Sequence, residues 1–273
     1  MFAKLLLVIN IAVSILGVYL FDYKADSVIN SPLMIILSIL MGTVVMLIVF
    51  FLYIDVFYFL VAKRKPQNSR LKHIIAKQIM TVPIFATNMR IKVIGIENLP
   101  ENPGFAIYSN HTSMMDVPVL MYKLYKYPVA FLTRKAIGNL FAVGKWIPKL
   151  GSVMIDRDNV RKGAESIIKV IKNVKSGLTM VVFPEGTRSK EIGIMGEFKP
   201  GSFKVALKSK APLVPLTIIK PKNFKQVKWP FPKRITVVIH KPIPFEEFKN
   251  MTSIDLCIKV REIIEVPLKS STE

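Results

Sequence analysis

The run LMIILSILMGTVVMLIVFFLYI, residues 33–54, holds 22 residues without a single charge. As a helix rising 1.5 Å per residue it extends roughly 33 Å, enough for the hydrocarbon core of a bilayer. A shorter apolar run, LLLVINIAVSILGVYLF at 5–21, precedes it and reaches about 25 Å. The polar stretch DYKADSVINSP joins the two. No small-residue cleavage site stands before Asp22, which argues against a removable signal peptide. Asp55 interrupts the second run near its end, VFYFLVA carries the apolar character to Ala62, and the basic stretch KRKPQNSRLK follows at 63–72. Two helices with a short connector make a hairpin, and the basic stretch behind it reads as a cytoplasmic anchor. The pattern predicts a membrane-associated helical hairpin over 1–62 and leaves open whether it spans the bilayer or dips into one leaflet.

Charge divides the chain at the same place. Residues 1–62 hold two lysines against three aspartates, and the remainder holds 37 basic residues against 15 acidic ones. So basic a surface suits nucleic acid or an anionic membrane, and beside an apolar N-terminus the membrane is the better partner. The expectation is an anionic phospholipid membrane and no nucleic acid. The single cysteine, Cys257, excludes an intrachain disulfide and a clustered-cysteine metal site, and its amphipathic setting predicts a buried thiol in a reducing compartment.

Beyond a basic connecting region at 63–90, residues 91–268 alternate short apolar runs with helical stretches, and 269–273 read as a tail. Strands are predicted at 105–109, 129–133, 152–155, 178–183, 213–218 and 235–240. The stretch from 160 to 177 keeps Val160, Ala164, Ile167, Ile168, Ile171 and Val174 at helical spacing, with Gly177 as its C-cap. Further helices are expected at 203–209 and 254–266, the latter with Ile254, Ile258, Arg261 and Glu265 on rows four apart. The fold class is α/β, a mainly parallel sheet covered by helices and preceded by the hairpin. Ligand groups in such folds gather beyond the carboxyl ends of the strands.

Two stretches sit at such ends. In YSNHTSMMD, residues 108–116, His111 follows a strand, and Asn110 and Ser113 are placed to cap a helix carrying Asp116. A turn before that helix brings Asp116 back to the imidazole. A carboxylate on one ring nitrogen fixes the tautomer and lets the other nitrogen act as a base; the bland alternative is a capping histidine and a surface aspartate. In VVFPEGTRS, residues 181–189, Gly186 permits close backbone approach and Arg188 offers a planar fork suited to phosphate. Glu185 repels phosphate, so it binds a ligand hydroxyl or orients an arginine; a tight turn with a Glu–Arg pair is the alternative. Arg157, between Asp156 and Asp158, fits either phosphate or a structural ion pair. His73 and His240 read as structural or surface residues. Zinc held by His111, Asp116 and Glu185 stays open by residue type, although no second clustered histidine supports it. There is no phosphate-binding P-loop, no dinucleotide-binding glycine motif, no zincin helix and no nucleophile elbow.

These stretches together resemble the membrane-associated glycerolipid acyltransferases. That family's first block, N-H-x-x-x-x-D, is matched by Asn110, His111 and Asp116, and its second by Gly151, Ile155 and Arg157. The third, F-P-E-G-T-R-S, stands in full at 183–189, and the fourth, a proline-bearing apolar strand, at 211–216. The blocks come in family order over about 110 residues.

The resemblance implies an O-acyltransferase of phospholipid biosynthesis acting at the cell membrane, with its catalytic domain facing the cytoplasm. The reaction implied is transfer of an acyl group from acyl-CoA or acyl-carrier protein to the sn-2 hydroxyl of 1-acyl-sn-glycerol-3-phosphate, giving phosphatidate. His111 would be the base and Asp116 its orienting partner. Arg157, Glu185, Gly186 and Arg188 would form the acceptor and phosphate pocket, with Thr187 supporting the turn. Asn110, Gly151, Pro184 and Pro215 would support these, Pro215 by shaping the acyl side or a loop. No metal and no cofactor beyond the acyl-donor co-substrate are implied. Within the family, glycerol-3-phosphate or another lysolipid is the alternative acceptor. Outside it stands a non-enzymatic protein that holds anionic membrane by charge alone.

Overall fold

A computed structural model describes residues 2–22, 31–155 and 160–270, which fall into two compact units, Met1–Arg64 and Lys65–Glu273. Most of the polar connector expected near residues 22–32 lies outside the described residues.

In the first unit α1 (Phe2–Asp22) and α2 (Ser31–Phe57) pack antiparallel, and a π-helical turn at Tyr58–Ala62 follows. The Phe2 and Tyr53 rings lie 4.2 Å apart near one end. Toward the other, a Cβ placed on Gly17 would stand 2.7 Å from Met41 Cε. At Gly42 the approach is closer still, 2.4 Å from Ser14 Oγ and 2.6 Å from the Asn10 carbonyl, so only glycine lets the backbones meet there. Asn10 Nδ2 donates across the helix pair to Thr43 Oγ1 at 3.1 Å. Both helices are long and apolar enough to cross a membrane. Leu5, Ile15, Ile36 and Leu40 point outward and are exposed.

The second unit opens with α3 (Arg70–Ala86) and is built on a seven-stranded sheet. Its strands are β1 (Met89–Ile94), β2 (Ala106–Ser109), β3 (Val129–Arg134), β4 (Val153–Ile155), β5 (Thr179–Val182), β6 (Leu213–Ile219) and β7 (Lys233–Ile239), in spatial order β1-β7-β6-β2-β5-β3-β4. Every pairing is parallel except β6–β7, where Leu216 lies opposite Ile239 and Ile219 opposite Thr236. The central strands β2 and β5 are buried at every position, as strands covered on both faces must be. The connecting helices are α4 (Asp116–Lys123), α5 (Trp146–Lys149), α6 (Val160–Lys175), α7 (Lys204–Ser209), α8 (Phe245–Phe248) and α9 (Ser253–Ser270).

The mainly parallel sheet agrees with the expected class, and the six expected strands and the helices over 160–177, 203–209 and 254–266 are all present. The structure corrects three details. Residues 89–94, of which the first two fall in the expected connecting region and none in an expected strand, form an edge strand whose alternate residues face solvent. In α9 the packed face is Leu256, Cys257, Val260, Ile264 and Leu268, while Ile254 and Ile258 are exposed. Asn110 and Ser113 do not cap α4, which begins at Asp116 without a side-chain cap.

Candidate active site

β2 delivers Asn110 and His111 to its carboxyl end, and Asn110 is locked there by the neighbouring strand. Its amide donates to the Ile218 carbonyl at 3.0 Å and accepts the Ile218 N–H at 2.8 Å, which is why it is unavailable as a helix cap. The chain then turns, and Asp116 at the start of α4 reaches back. Its Oδ2 accepts from His111 Nδ1 at 2.9 Å, from Thr112 N at 2.8 Å and from Ser113 N at 2.9 Å. The other oxygen is held by the ammonium of Lys220, which also donates to Thr112 Oγ1. Asp116 and Lys220 are both sealed from solvent. Burial alone pushes the Asp116 carboxyl up, but the bonds and charges of His111 and Lys220 outweigh it and hold it below the usual carboxylate range. Burial likewise lowers Lys220, with the Asp116 charge pulling the other way.

The His111 ring, fixed by Asp116 on Nδ1, stacks on Phe183 with centroids 4.1 Å apart and lines a cavity of about 910 Å³. That volume is at the upper end of the range for small-molecule sites, about 300–1,000 Å³. The walls are mainly apolar and include Met121, Phe131, Trp146, Leu150, Ile167 and Ile171. Much of the apolar face of α6 lines the cavity: Ala164, Ile167, Ile168 and Ile171 face the space, Ile167 and Ile171 also packing against the core, whereas Val170 and Val174 lie in the interior. The polar lining includes Arg134, Thr187, Arg188, Lys199, Lys204 and Lys208 besides His111.

The Phe183–Ser189 stretch follows β5, next to β2 in the sheet, and the two loops are stitched together. Glu185 Oε1 accepts the His111 N–H at 2.7 Å, its Oε2 accepts the Gly196 N–H at 2.7 Å, and Ser189 N donates to the His111 carbonyl at 2.8 Å. Glu185 is buried behind the cavity lining, between Pro184 and Gly186, which line it. A buried carboxylate needs donors on both oxygens, and here backbone N–H groups supply them. Burial raises its pKa, with the two N–H groups and the Arg261 charge offsetting part of the rise. Gly186 turns with φ +70, a conformation that favours glycine, and Pro184 accepts the Lys199 N–H at 2.9 Å. Thr187 Oγ1 accepts from Arg134 Nη2 at 3.1 Å. Arg188 is exposed at the cavity wall.

Other expected residues lie apart from this group. Arg157 is outside the described residues. Gly151 holds φ +84 against Leu178, and its carbonyl accepts from Asn173. Pro215 sits inside β6 opposite Tyr108, apart from the residues that line the cavity. His73 and His240 make structural bonds to Gln67 and Thr217. Among the described residues no group of three His, Cys, Asp or Glu side chains is arranged to hold a metal ion. Sequence reasoning missed Lys220 and Arg134. Both stand at carboxyl ends of strands, β6 and β3, so the rule that marked His111 would have marked them too.

The acyltransferase family profile matches residues 90–219. The chain is 28% identical over 206 residues to the 1-acyl-sn-glycerol-3-phosphate acyltransferase of Borreliella burgdorferi, covering 72% of this chain and 82% of that protein. It is 29% identical to the enzyme of that name from Bacillus subtilis, covering 66% and 86%. The chloroplastic LPAT1 of Arabidopsis thaliana is 32% identical, but the match spans only 50% of its length. Among solved structures, the 1-acyl-sn-glycerophosphate acyltransferase PlsC of Thermotoga maritima superposes with a TM-score of 0.59 over 83% of this chain and 95% of that one. At 23% identity that likeness shows a shared fold.

Proposed function

We propose that this chain, which belongs to the acyltransferase family, transfers an acyl group from a thioester donor to the sn-2 hydroxyl of 1-acyl-sn-glycerol-3-phosphate, giving phosphatidate. The observation that carries the reading is the His111 Nδ1–Asp116 Oδ2 bond of 2.9 Å at the wall of an apolar cavity that Arg188 also lines. Asp116 fixes the tautomer that leaves Nε2 as the base. Nε2 takes the proton of the acceptor hydroxyl as its oxygen attacks the thioester carbonyl. The tetrahedral intermediate collapses by breaking the C–S bond, and the departing thiolate takes the proton from the imidazolium. Transfer is direct, with no acyl-enzyme, because among the described residues no serine or cysteine side chain is hydrogen-bonded to the His111 ring; its partner is Asp116. Acyl-CoA and acyl-carrier protein both satisfy this chemistry. The apolar walls suit an acyl chain, and Arg188 and Arg134 present guanidinium groups for the phosphate.

This reading puts catalysis at the membrane surface, with the apolar hairpin as anchor and the basic domain on the cytoplasmic side. Family membership displaces the non-enzymatic alternative; glycerol-3-phosphate and other lysolipids remain competing acceptors. The test offers purified full-length protein one acyl-CoA with lysophosphatidate, glycerol-3-phosphate and an uncharged monoacylglycerol, with products read by mass spectrometry. Lysophosphatidate should give the highest kcat/KM. Arg188→Ala should cut that preference over monoacylglycerol by roughly 10–100-fold, the worth of a lost charge-assisted contact. Higher kcat/KM for glycerol-3-phosphate would overturn the acceptor assignment.

A further inference from the structure

The connection between β6 and β7, residues 220–232, leaves the sheet at the same end as His111, because β6 runs parallel to β2 and β7 returns antiparallel. It carries two of the most exposed large side chains in the α/β domain, Trp229 at 75% and Phe231 at 68%. The backbone beneath them is braced. Phe224 is buried under it, with Lys220 and Lys233 each 5.3 Å from its ring centroid. Phe231 N donates to the Lys228 carbonyl at 3.0 Å, Asn88 Nδ2 to the Pro230 carbonyl at 2.7 Å, and Lys225 Nζ to the Lys190 carbonyl at 3.1 Å, tying the connection to the segment after Arg188. The aromatic rings are thus held out in water by a built turn. Their surroundings have one sign of charge: between Glu197 and Glu246 the chain has eleven basic residues and no acidic one.

We propose that residues 222–233 form a second lipid contact, an aromatic and basic lip that seats Trp229 and Phe231 in the interface of an anionic bilayer at the catalytic end of the sheet. Tryptophan favours the headgroup level, where its apolar body and its N–H are both satisfied, and the Phe231 ring beside it adds apolar area. Lysines around them gain from anionic headgroups within a Debye length. An acidic protein would also meet the charge, but exposed Trp and Phe at the tip fit a lipid interface better, and the chain already has two helices apolar enough to enter one. The proposal leans on the lipid-acylating reading only for its choice of partner. A lip of this kind would turn the catalytic end of the sheet toward the acceptor independently of how tightly the hairpin anchors the chain.

The chain has two tryptophans, and the other, Trp146, is 1% exposed and lines the cavity, so the difference between the parent's emission and that of Trp229→Phe isolates the lip. Full-length protein is reconstituted in phosphatidylcholine–phosphatidylglycerol vesicles with or without brominated acyl chains. A blue-shifted component quenched by bromine, present in the parent and absent in Trp229→Phe, is the expected result, and it should weaken when phosphatidylglycerol is left out. The double variant Trp229→Ala, Phe231→Ala should lose about tenfold in kcat/KM on vesicle-embedded acceptor and stay within about twofold on a short-chain soluble one. A Trp229 component that stays red-shifted and unquenched while the enzyme turns over would overturn the lip and leave the acyl-transfer reading intact. So would a response to an added acidic carrier protein but not to vesicles. Quenching without turnover would sustain the lip and count against acyl transfer.

Discussion

In the N-terminal unit many apolar side chains face outward, Leu5, Ile15, Ile36 and Leu40 among them, and the helices meet through Gly17, Gly42, Ser14 and Asn10, with the Phe2 and Tyr53 rings at one end. In the α/β domain the order is reversed: Ala106, Ile107, Met180 and Val214 are sealed inside, and charge covers the outside. A helix apolar on every side is at home where its surroundings are apolar too, and small residues then make the helix contact because burial of large ones gains nothing. The domain is held by the opposite economy, burial from water, and it can therefore keep a few buried polar groups under strict geometric control. Asp116, Lys220 and Glu185 are such groups. The comparison separates two tasks on the proposed reading: the nearly charge-free unit suits an apolar surrounding, and the unit that buries charge in pairs carries the candidate active site.

The largest effect expected of that division is at His111. His111→Ala should lower acyl transfer by about 10²–10⁴-fold, the usual worth of a general base, with vesicle association unchanged. Steady-state rates on the purified variant decide it. Activity above about a tenth of the parent's would remove His111 from the base role and blur the division.

Lys220→Met comes next, because it breaks a buried pair from one side. Asp116 keeps its three donors from His111, Thr112 and Ser113 but loses the cation on Oδ1. A loss of about 3 kcal/mol in stability is expected, the lower end for an uncompensated buried charge. Urea unfolding followed by near-ultraviolet circular dichroism measures it. A change below about 1 kcal/mol would mean that Asp116 does not depend on Lys220, and that this domain tolerates charge as a surface does.

His73 gives a pH test of the same contrast. It is buried on α3 against the Gln67 carbonyl, and burial lowers its pKa from 6.5 to about 4, with the Lys72 charge adding to the fall and the Gln67 bond opposing it. The folded value is below the unfolded one, so the unfolded chain binds the extra proton first. The stabilisation is therefore complete above pH 6.5 and is lost as pH falls toward 4, amounting to about 3 kcal/mol over that window. Melting temperatures between pH 7 and pH 5 should fall less steeply in His73→Gln than in the parent. Parallel slopes would assign the acid sensitivity to other groups.

Much of this domain could be read from its residues, and the misses share a cause. Strands buried on both faces, such as those at Ala106–Ser109 and Thr179–Val182, stand out as apolar runs. Met89–Ile94 does not, because an edge strand alternates Arg90 and Lys92 with apolar residues and merges with the basic stretch before it. Strand direction is set by tertiary connection, so the antiparallel β7 left no mark in composition. His111 and Asp116 were legible because motif and strand end coincide, and Glu185 was legible as a site residue but not in its task. Whether its carboxylate faces a ligand or two backbone N–H groups depends on Gly196, eleven residues away. Lys220 was hidden by number, one lysine among many in a basic chain, until β6 placed it against Asp116.

The smallest effect should come from a polar cross-link between the two hairpin helices. Asn10 Nδ2 reaches Thr43 Oγ1 at 3.1 Å, while Thr43 Oγ1 itself donates to the Ile39 carbonyl at 2.8 Å in its own helix. Asn10→Leu removes the bond between α1 and α2 but leaves Thr43 its partner, so no hydroxyl is stranded. Side-chain hydrogen bonds between helices in an apolar medium average about 0.6 kcal/mol, because the separated helices find other partners. The expected loss in hairpin stability is of that order, read in mild detergent by crosslinking cysteines placed at the helix ends. Gly42→Leu is the contrasting variant: its side chain must displace Ser14 and the Asn10 backbone, so it should part the helices outright. Neither should alter kcat on a soluble short-chain acceptor. If Asn10→Leu were the more disruptive of the two, polar bonding and not close backbone approach would hold the hairpin together. The N-terminal unit would then obey the rules of the domain that follows it.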